Sequence, residues 1–478
     1  MTTAVPNRRG LAYEVRELTD VPRGADGRVD LDAVHDRLAP ADLLETADGS
    51  GWSYVVPHLG ARVRDDGRTT RLTTAFGTHQ RLGTDPLGAL DAVAEQLGID
   101  PHARADAALP PFHGGVIGAF AYELGHRIEV STAPAHGSGI PAMDLRTADT
   151  VVAVTSTRDR VVTVARPSAF EAGTPRQRVT AIAGAIRRPS PVRRPATGAR
   201  QHLTSTLPRE AYLGAVHRIL AAIGAGDVFQ VNLTRQLLGR WDGDVVALYR
   251  ALRAVSPAPF GAALPTQGIA SISPESFLAV DGGAVTTRPV KGTRRRDRDP
   301  SLDAALADDL ATSAKDRAEN VMVVDMERND LGRISRPGSV RVTELTRVEA
   351  HPTVWHLVST VRGRLRGDVG YGDLLRATFP CGSITGAPKV AAMRLISELE
   401  PTPRGWYCGA VGYLGDGRAS LSVAIRTATL DGGVVRYGAG GGVVADSDPD
   451  AEHAESLDKA AAFIEAVTST PTAAVQLR

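Results

Sequence analysis

The stretch Arg288-Pro289-Val290-Lys291-Gly292-Thr293-Arg294 sets one lysine between a proline and a glycine, with an arginine at either end. A lysine in water is a poor nucleophile. With a reference pKa near 10.4, about 4 in 10,000 are neutral at pH 7, a deficit of roughly 4.6 kcal/mol. Removal from water and neighbouring positive charge both reduce that deficit. Taken alone, the stretch reads first as a solvated basic loop. The segments on either side reverse that reading.

Upstream, Tyr212, Val216, Ile219, Leu220 and Ile223 recur at helical spacing, and Gly224 and Gly226 end the helix. Gly226-Asp227-Val228-Phe229-Gln230-Val231-Asn232-Leu233-Thr234 then reads as a strand after a turn. A helix over Val245 to Val255 stops before Ser256-Pro257. Ile269 to Ser273 is a short strand that runs into Ser273-Pro274-Glu275-Ser276-Phe277. Downstream, Ser313 caps a helix, with Asp316 at the reciprocal capping position and Gly332 at the close. On it, Glu319 shares a face with Met322, Val323 and Met326. An acid on an apolar stripe is costly unless paired or bound to a metal.

Phe379-Pro380-Cys381-Gly382-Ser383-Ile384-Thr385-Gly386-Ala387-Pro388-Lys389 is a loop of glycines and hydroxyls that enters a helix ending at Glu400. Hydroxyls beside free helix-start amides suit an anion. Trp406 to Tyr413 and Leu421 to Leu430 read as neighbouring strands. Arg426 lies on the face of the second that carries Ser422, Ala424 and Ala428. An arginine above small side chains suits a carboxylate, although an edge-strand surface arginine fits the same pattern. Tyr437 to Val444 is a strand that opens into bare glycine backbone at Gly440 and Gly441. Asp448-Pro449 caps the last helix, where Glu452, Glu455 and Lys459 share one face, by itself the pattern of a surface ion pair.

Residues 1–186 form a first region. Within it, Leu43-Leu44-Glu45-Thr46 and Trp52 to Val56 read as a strand pair, Gly114 to Tyr122 as a glycine-rich buried strand, and Val151 to Ala153 with Val161 to Val164 as a hairpin. Residues 187–207, rich in proline and arginine, are a linker. Residues 208–468 form the second region and 469–478 a tail. With 55 Lys+Arg against 54 Asp+Glu, the formal charge of +1 demands neither nucleic acid nor an anionic membrane as partner. The N-terminus has no apolar signal segment, so the expected location is cytoplasmic. The two cysteines, Cys381 and Cys408, have no metal-binding spacing.

Taken together, GDVFQVNLTR, SPESF, RPVKGTRRR, SAKDRAENVMVVDMERNDLGR, PCGSITGAPKVAAMRLISELEP, GAVGYL, AIRT and GAGGGVVADSDPDAEHAES resemble the chorismate-utilising enzymes of the anthranilate synthase component I family. The likeness spans about residues 208–468, and LLET and GGVIGAFAYE resemble the family's first region more loosely. It implies an α+β fold, antiparallel β-sheets packed together with helices outside. It also implies Mg²⁺ held by Glu319 and Glu455 with Glu452 close by, Glu275 as general acid, and Lys291 as nucleophile. Thr385, Tyr407, Arg426, Gly440, Gly441 and Lys459 fall at substrate-binding positions. The interval from Tyr407 to Arg426 is one residue shorter than the family's, at the Gly415-Asp416-Gly417 turn. Anthranilate-forming members carry alanine where Lys291 stands, and isochorismate-forming members carry lysine where Gln230 stands. The chain therefore resembles the lysine-bearing branch, which places the amino group at C4. Neither cysteine has the setting of an amidotransferase nucleophile, so the implied ammonia source is a separate glutamine amidotransferase subunit or free ammonia. The LLET segment resembles the family's effector-binding segment. A nucleic-acid role for Arg294, Arg295, Arg296 and Arg298 is opposed by the acids at 303, 308 and 309 and by the lack of interleaved aromatic residues.

Overall fold

A computed structural model describes residues 2–6, 12–47, 49–104, 106–129, 131, 141–190, 203–352 and 354–468. The expected tail at 469–478 and most of the expected linker lie outside these residues. Among them, no helix is long and apolar enough to cross a membrane.

Among the described residues, alternating short β-branched runs and tight turns build two antiparallel sheets, of 13 and 12 strands. This is the α+β arrangement expected from the sequence. The first sheet places Ser53–Pro57, Ala41–Glu45, Phe260–Leu264, Ile269–Ser273, Thr427–Asp431, Val434–Val443 and Gln230–Arg240 side by side. The second runs through Val290–Arg295, Val354–Arg364, Ala284–Arg288, Ser276–Asp281, Arg418–Val423, Ala410–Gly415, Gly115–Phe120 and Met143–Ala148. Both sheets interleave strands from the two sequence regions. Leu43 stands opposite Ala263, and Gly118 opposite Gly412. Gly118, at φ +153°, has no room for a side chain, because a Cβ there would lie 2.3 Å from the Asp144 carbonyl oxygen. That is the close backbone approach expected of the glycine-rich strand.

Tyr54, Val56, Val151 and Leu264 of the first sheet meet Ile117, Val411 and Tyr413 of the second in one buried cluster. Phe112 stacks on Tyr413 there, with ring centres 4.4 Å apart. Helices Val245–Val255 and Pro449–Thr468 bury their apolar faces on the outside of the first sheet. Pro86–Leu97, Ala314–Gly332 and Tyr371–Thr378 do so on the second.

Two local expectations are corrected. Lys291 is not in a loop: Val290–Arg295 is a strand, bulged between Val290 and Thr293, with Gly292 at φ +86°. A bulge re-aims the side chain within it. Leu421 to Leu430 is not one strand either. Arg418–Val423 belongs to the second sheet and Thr427–Asp431 to the first. The chain changes sheets through Ala424, Ile425 and Arg426, and Arg426 takes φ +51°. The turn is stapled from beside: the Ser273 hydroxyl donates to the Val423 carbonyl at 2.6 Å, and the Ile272 amide donates to the Arg426 carbonyl at 3.1 Å.

Candidate active site

Two crossings between the sheets run next to each other, and each carries a candidate residue. Pro274 and Glu275 link Ile269–Ser273 to Ser276–Asp281, while Arg426 lies in the neighbouring link. Beside them, Val434–Val443 loses one neighbour. Thr427–Asp431 pairs with it only as far as Tyr437, so Gly438 to Val443 have Gln230–Arg240 on one side and an open edge on the other. The bare backbone expected from the glycines is therefore real.

The last helix lies over this edge. Asp448 caps it by accepting from the Ala451 amide at 2.9 Å. Lys459 Nζ donates to the Gly440 carbonyl at 3.0 Å and pairs with Glu455 at 2.6 Å. A Cβ on Gly441 would lie 3.0 Å from Glu452 Oε2, 3.4 Å from Glu455 Oε1 and 3.6 Å from Lys459 Nζ. Glycine thus leaves three ionisable side chains facing one patch of backbone.

Lys291, on a strand of the second sheet, and Glu319, on the helix Ala314–Gly332 packed against that sheet, reach the same charge cluster. Burial holds the half-buried Lys291 amine below its ordinary pKa of 10.5; Lys459 adds to this, while Glu319, Glu275 and Glu455 oppose it. Arg288 and Arg294, the sequence's proposed source of positive charge, point to acids instead: Arg288 to Glu349 at 2.6 Å and Arg294 to Asp309 at 2.6 Å. Glu275 is 3% exposed, and burial raises its pKa. The Ser383 hydroxyl, Lys291, the Val290 amide at 3.4 Å and Lys459 pull it back down. Burial likewise raises Glu319, with Asp316 and Glu455 adding to the rise and Lys291 and Lys315 opposing it.

The metal question rests on the acids. Among the described residues no group of three His, Cys, Asp or Glu is drawn tightly enough to hold an ion. Even so, the donors suit a hard cation. Glu452 Oε2 is buried without a hydrogen-bond partner among the described residues. Glu455 raises the pKa of both Glu319 and Glu452, so the three carboxylates share one electrostatic neighbourhood. Glu319, Glu452 and Glu455 could hold a divalent ion there.

The remaining candidates divide. Burial, with His351 and then Arg426 adding to it, pushes the His356 imidazole down to about 3, and His356 bonds Thr293, two residues on from Lys291, at 3.0 Å. Tyr407 is buried, with its ring where a Gly438 Cβ would stand, 2.2 Å from Cδ1. The Thr385 hydroxyl is turned into its own loop, donating to the Cys381 and Gly382 carbonyls at 3.2 Å each. Gln230 is fully buried, and its amide finds no partner among the described residues.

Sequence reading missed Glu327, and took Ser383 only as one hydroxyl of an anion-binding loop. On Ala314–Gly332 the buried face is Asn320, Val323, Val324, Glu327, Asp330 and Leu331, one step round from the expected stripe. Glu327 follows Val323 and Val324 at helical spacing; that period was its only signal.

The family model described as chorismate binding enzyme matches residues 60–465. The chain belongs to the chorismate binding enzyme family. It is 40% identical to aminodeoxychorismate synthase component 1 of Salmonella typhimurium, over 82% of this chain and 84% of that one. It is also 40% identical to anthranilate synthase component 1 of Streptomyces coelicolor, over 82% of this chain and 79% of that one. Among solved structures it is similar to anthranilate synthase component I from Streptococcus pneumoniae, with a TM-score of 0.73 at 28% identity, covering 88% of this chain and 92% of that one.

Proposed function

We propose that the protein is an aminodeoxychorismate synthase component I, which converts chorismate and ammonia to 4-amino-4-deoxychorismate on the route to p-aminobenzoate. The observation that carries this reading is the Lys291 amine, held below its ordinary pKa beside a buried carboxyl, Glu275, whose pKa is raised. A nucleophile and an acid, each biased to its neutral form, suit a displacement in which hydroxide must depart. Lys291 attacks C2 of the ring, the double bonds shift, and Glu275 protonates the C4 hydroxyl as it leaves as water. Ammonia adds at C4, the double bonds return, and the lysine amine is expelled. Splitting one displacement into two avoids direct attack on a poor leaving group.

Glu319, Glu452 and Glu455 would hold Mg²⁺, which supplies charge neutralisation for a substrate carboxylate. Arg426, with Tyr407 and the Gly440–Gly441 backbone, would receive the second carboxylate, and Lys459 and Thr385 would complete the substrate contacts. The expected partner is a glutamine amidotransferase subunit supplying ammonia. Cys381 and Cys408 are both buried, and burial pushes both thiols up, the latter to about 12. Such thiols do not serve as amidotransferase nucleophiles.

A second reading, anthranilate synthase component I, is favoured by the equal identity to the Streptomyces coelicolor relative. Incubation with chorismate, Mg²⁺ and ammonium, followed by the downstream lyase, separates the two. p-Aminobenzoate is expected, with its formation lost in Lys291→Ala; anthranilate as the product, at a rate unchanged in that variant, selects the second reading.

A further inference from the structure

Glu327 is 4% exposed and lies eight residues along the helix from Glu319. The Thr287 hydroxyl donates to one of its carboxyl oxygens at 2.5 Å, and Cys381 Sγ lies 3.5 Å from the other, so the protonated carboxyl can donate to the sulfur. Cys381 Sγ lies 3.3 Å from the Ser383 hydroxyl, and Ser383 in turn acts on Glu275, drawing its pKa down. The result is a continuous run of exchangeable protons, Glu327–Cys381–Ser383–Glu275, reaching from the helix to the candidate acid. We propose that Glu327 is a positioning residue that holds a proton for Glu275 and passes it through Cys381 and Ser383. The proposal rests on the reading of Glu275 as the general acid.

The steps balance. Glu275 gives its proton to the departing hydroxyl, which leaves as water. The Glu327 proton moves to the Cys381 sulfur, the thiol proton to Ser383, and the hydroxyl proton to Glu275. The negative charge then sits on Glu327, away from the substrate's two carboxylates. When the entering amine loses a proton to Glu275, the run operates in reverse and Glu327 is neutral again. Burial, with Glu275 and Asp330 adding to it, pushes the Glu327 carboxyl up to about 8, so it is loaded at neutral pH. The Cys381 thiol is also held protonated. The charged groups around the run are Asp330, paired with Lys389 at 2.6 Å and near Arg333, and Lys291 and Lys459 facing Glu275.

Infrared difference spectra of the full chain, titrated from mildly acidic to alkaline pH, read protonated carboxyls directly. Glu327→Gln and Glu275→Gln assign the bands. The Glu327 band is expected to vanish with a midpoint at about 8 and to move down in Glu275→Gln, by about one pH unit, as the like charge is removed. In kinetics, Glu327→Gln should lower kcat roughly tenfold with the KM for chorismate kept. Cys381→Ala should do the same, and Cys381→Ser should recover part of the loss. A Glu327 midpoint unmoved in Glu275→Gln overturns the proposal, as does a wild-type kcat–pH profile in Cys381→Ala. Product identity in the wild type decides the functional reading separately, and the carboxyl midpoints are read whichever product forms.

Discussion

In the proposed reaction, Lys291 and Glu275 must both be uncharged at the same pH. With ordinary pKa values, only about one molecule in a million would hold that pair of states at any pH. Every unit by which burial draws the two values together raises that share tenfold. The kcat/KM–pH profile is therefore expected to be a bell whose limbs lie less than about six pH units apart. A wider bell would show that burial does not tune the pair. Glu327 makes a second pH prediction, on stability. Its folded pKa of about 8 lies above the ordinary 4.5, so its contribution is full below 4.5 and is lost as pH rises to 8. Glu327→Gln should flatten that slope, by a few kcal/mol across the window, in thermal melts at stepped pH. At Arg426, the left-handed backbone and the charge pull apart. Arg426→Gly should raise the KM for chorismate at least about tenfold without lowering Tm, because glycine relieves a φ of +51°.

At the scale of the element, the glycine strand over Val434–Val443 does two different jobs at adjacent positions. A Cβ on Gly440 would lie 2.0 Å from the Leu233 carbonyl oxygen, and backbone in a ladder cannot withdraw. A Cβ on Gly441 meets only the ends of Glu452, Glu455 and Lys459, which can swing aside. Gly440→Ala is therefore expected to lower Tm sharply, by several degrees or more. Gly441→Ala should keep Tm close to wild type while lowering activity, on the proposed reading of Glu452 and Glu455 as Mg²⁺ ligands. Equal Tm losses in the two would contradict this division. The glycines, the Ser313 cap and the Asp448 cap were all legible in the sequence, because each is a local rule of the backbone. The bulge at Lys291 and the break at Arg426 were not. Period-two alternation continues through Leu421 to Leu430, and nothing local marks where a strand changes sheets.

At the scale of the whole molecule, the two sequence regions complete each other's sheets. Phe260–Leu264 pairs with Ala41–Glu45, and Ala410–Gly415 with Gly115–Phe120. Glu45, in the segment resembling an effector site, is buried and takes 2.6 Å hydrogen bonds from Tyr249 and Arg253 of the second region. Glu45→Ala strands those groups without their anion and should cost about 3–5 kcal/mol, read as a fall in Tm. Residues 208–468 expressed alone should show no cooperative melt, since both sheets would be left with open apolar edges. A sharp transition in that fragment would show that the first region is dispensable for folding.

The sequence by itself determined the family, through motifs that resemble its members, and that resemblance implied packed antiparallel sheets and named the candidate acids and amine. Only the tertiary structure decided which of them meet. It set Glu275 and Arg426 in neighbouring crossings, turned Arg288 and Arg294 away from Lys291, closed Thr385 onto its own loop, and joined Glu327 to Glu275 through Cys381 and Ser383. Proximity between distant segments and exclusion of water both arise from the packing of two sheets and their helices. The pKa shifts that make the amine and the acid useful depend on that burial, which no short stretch of chain encodes alone.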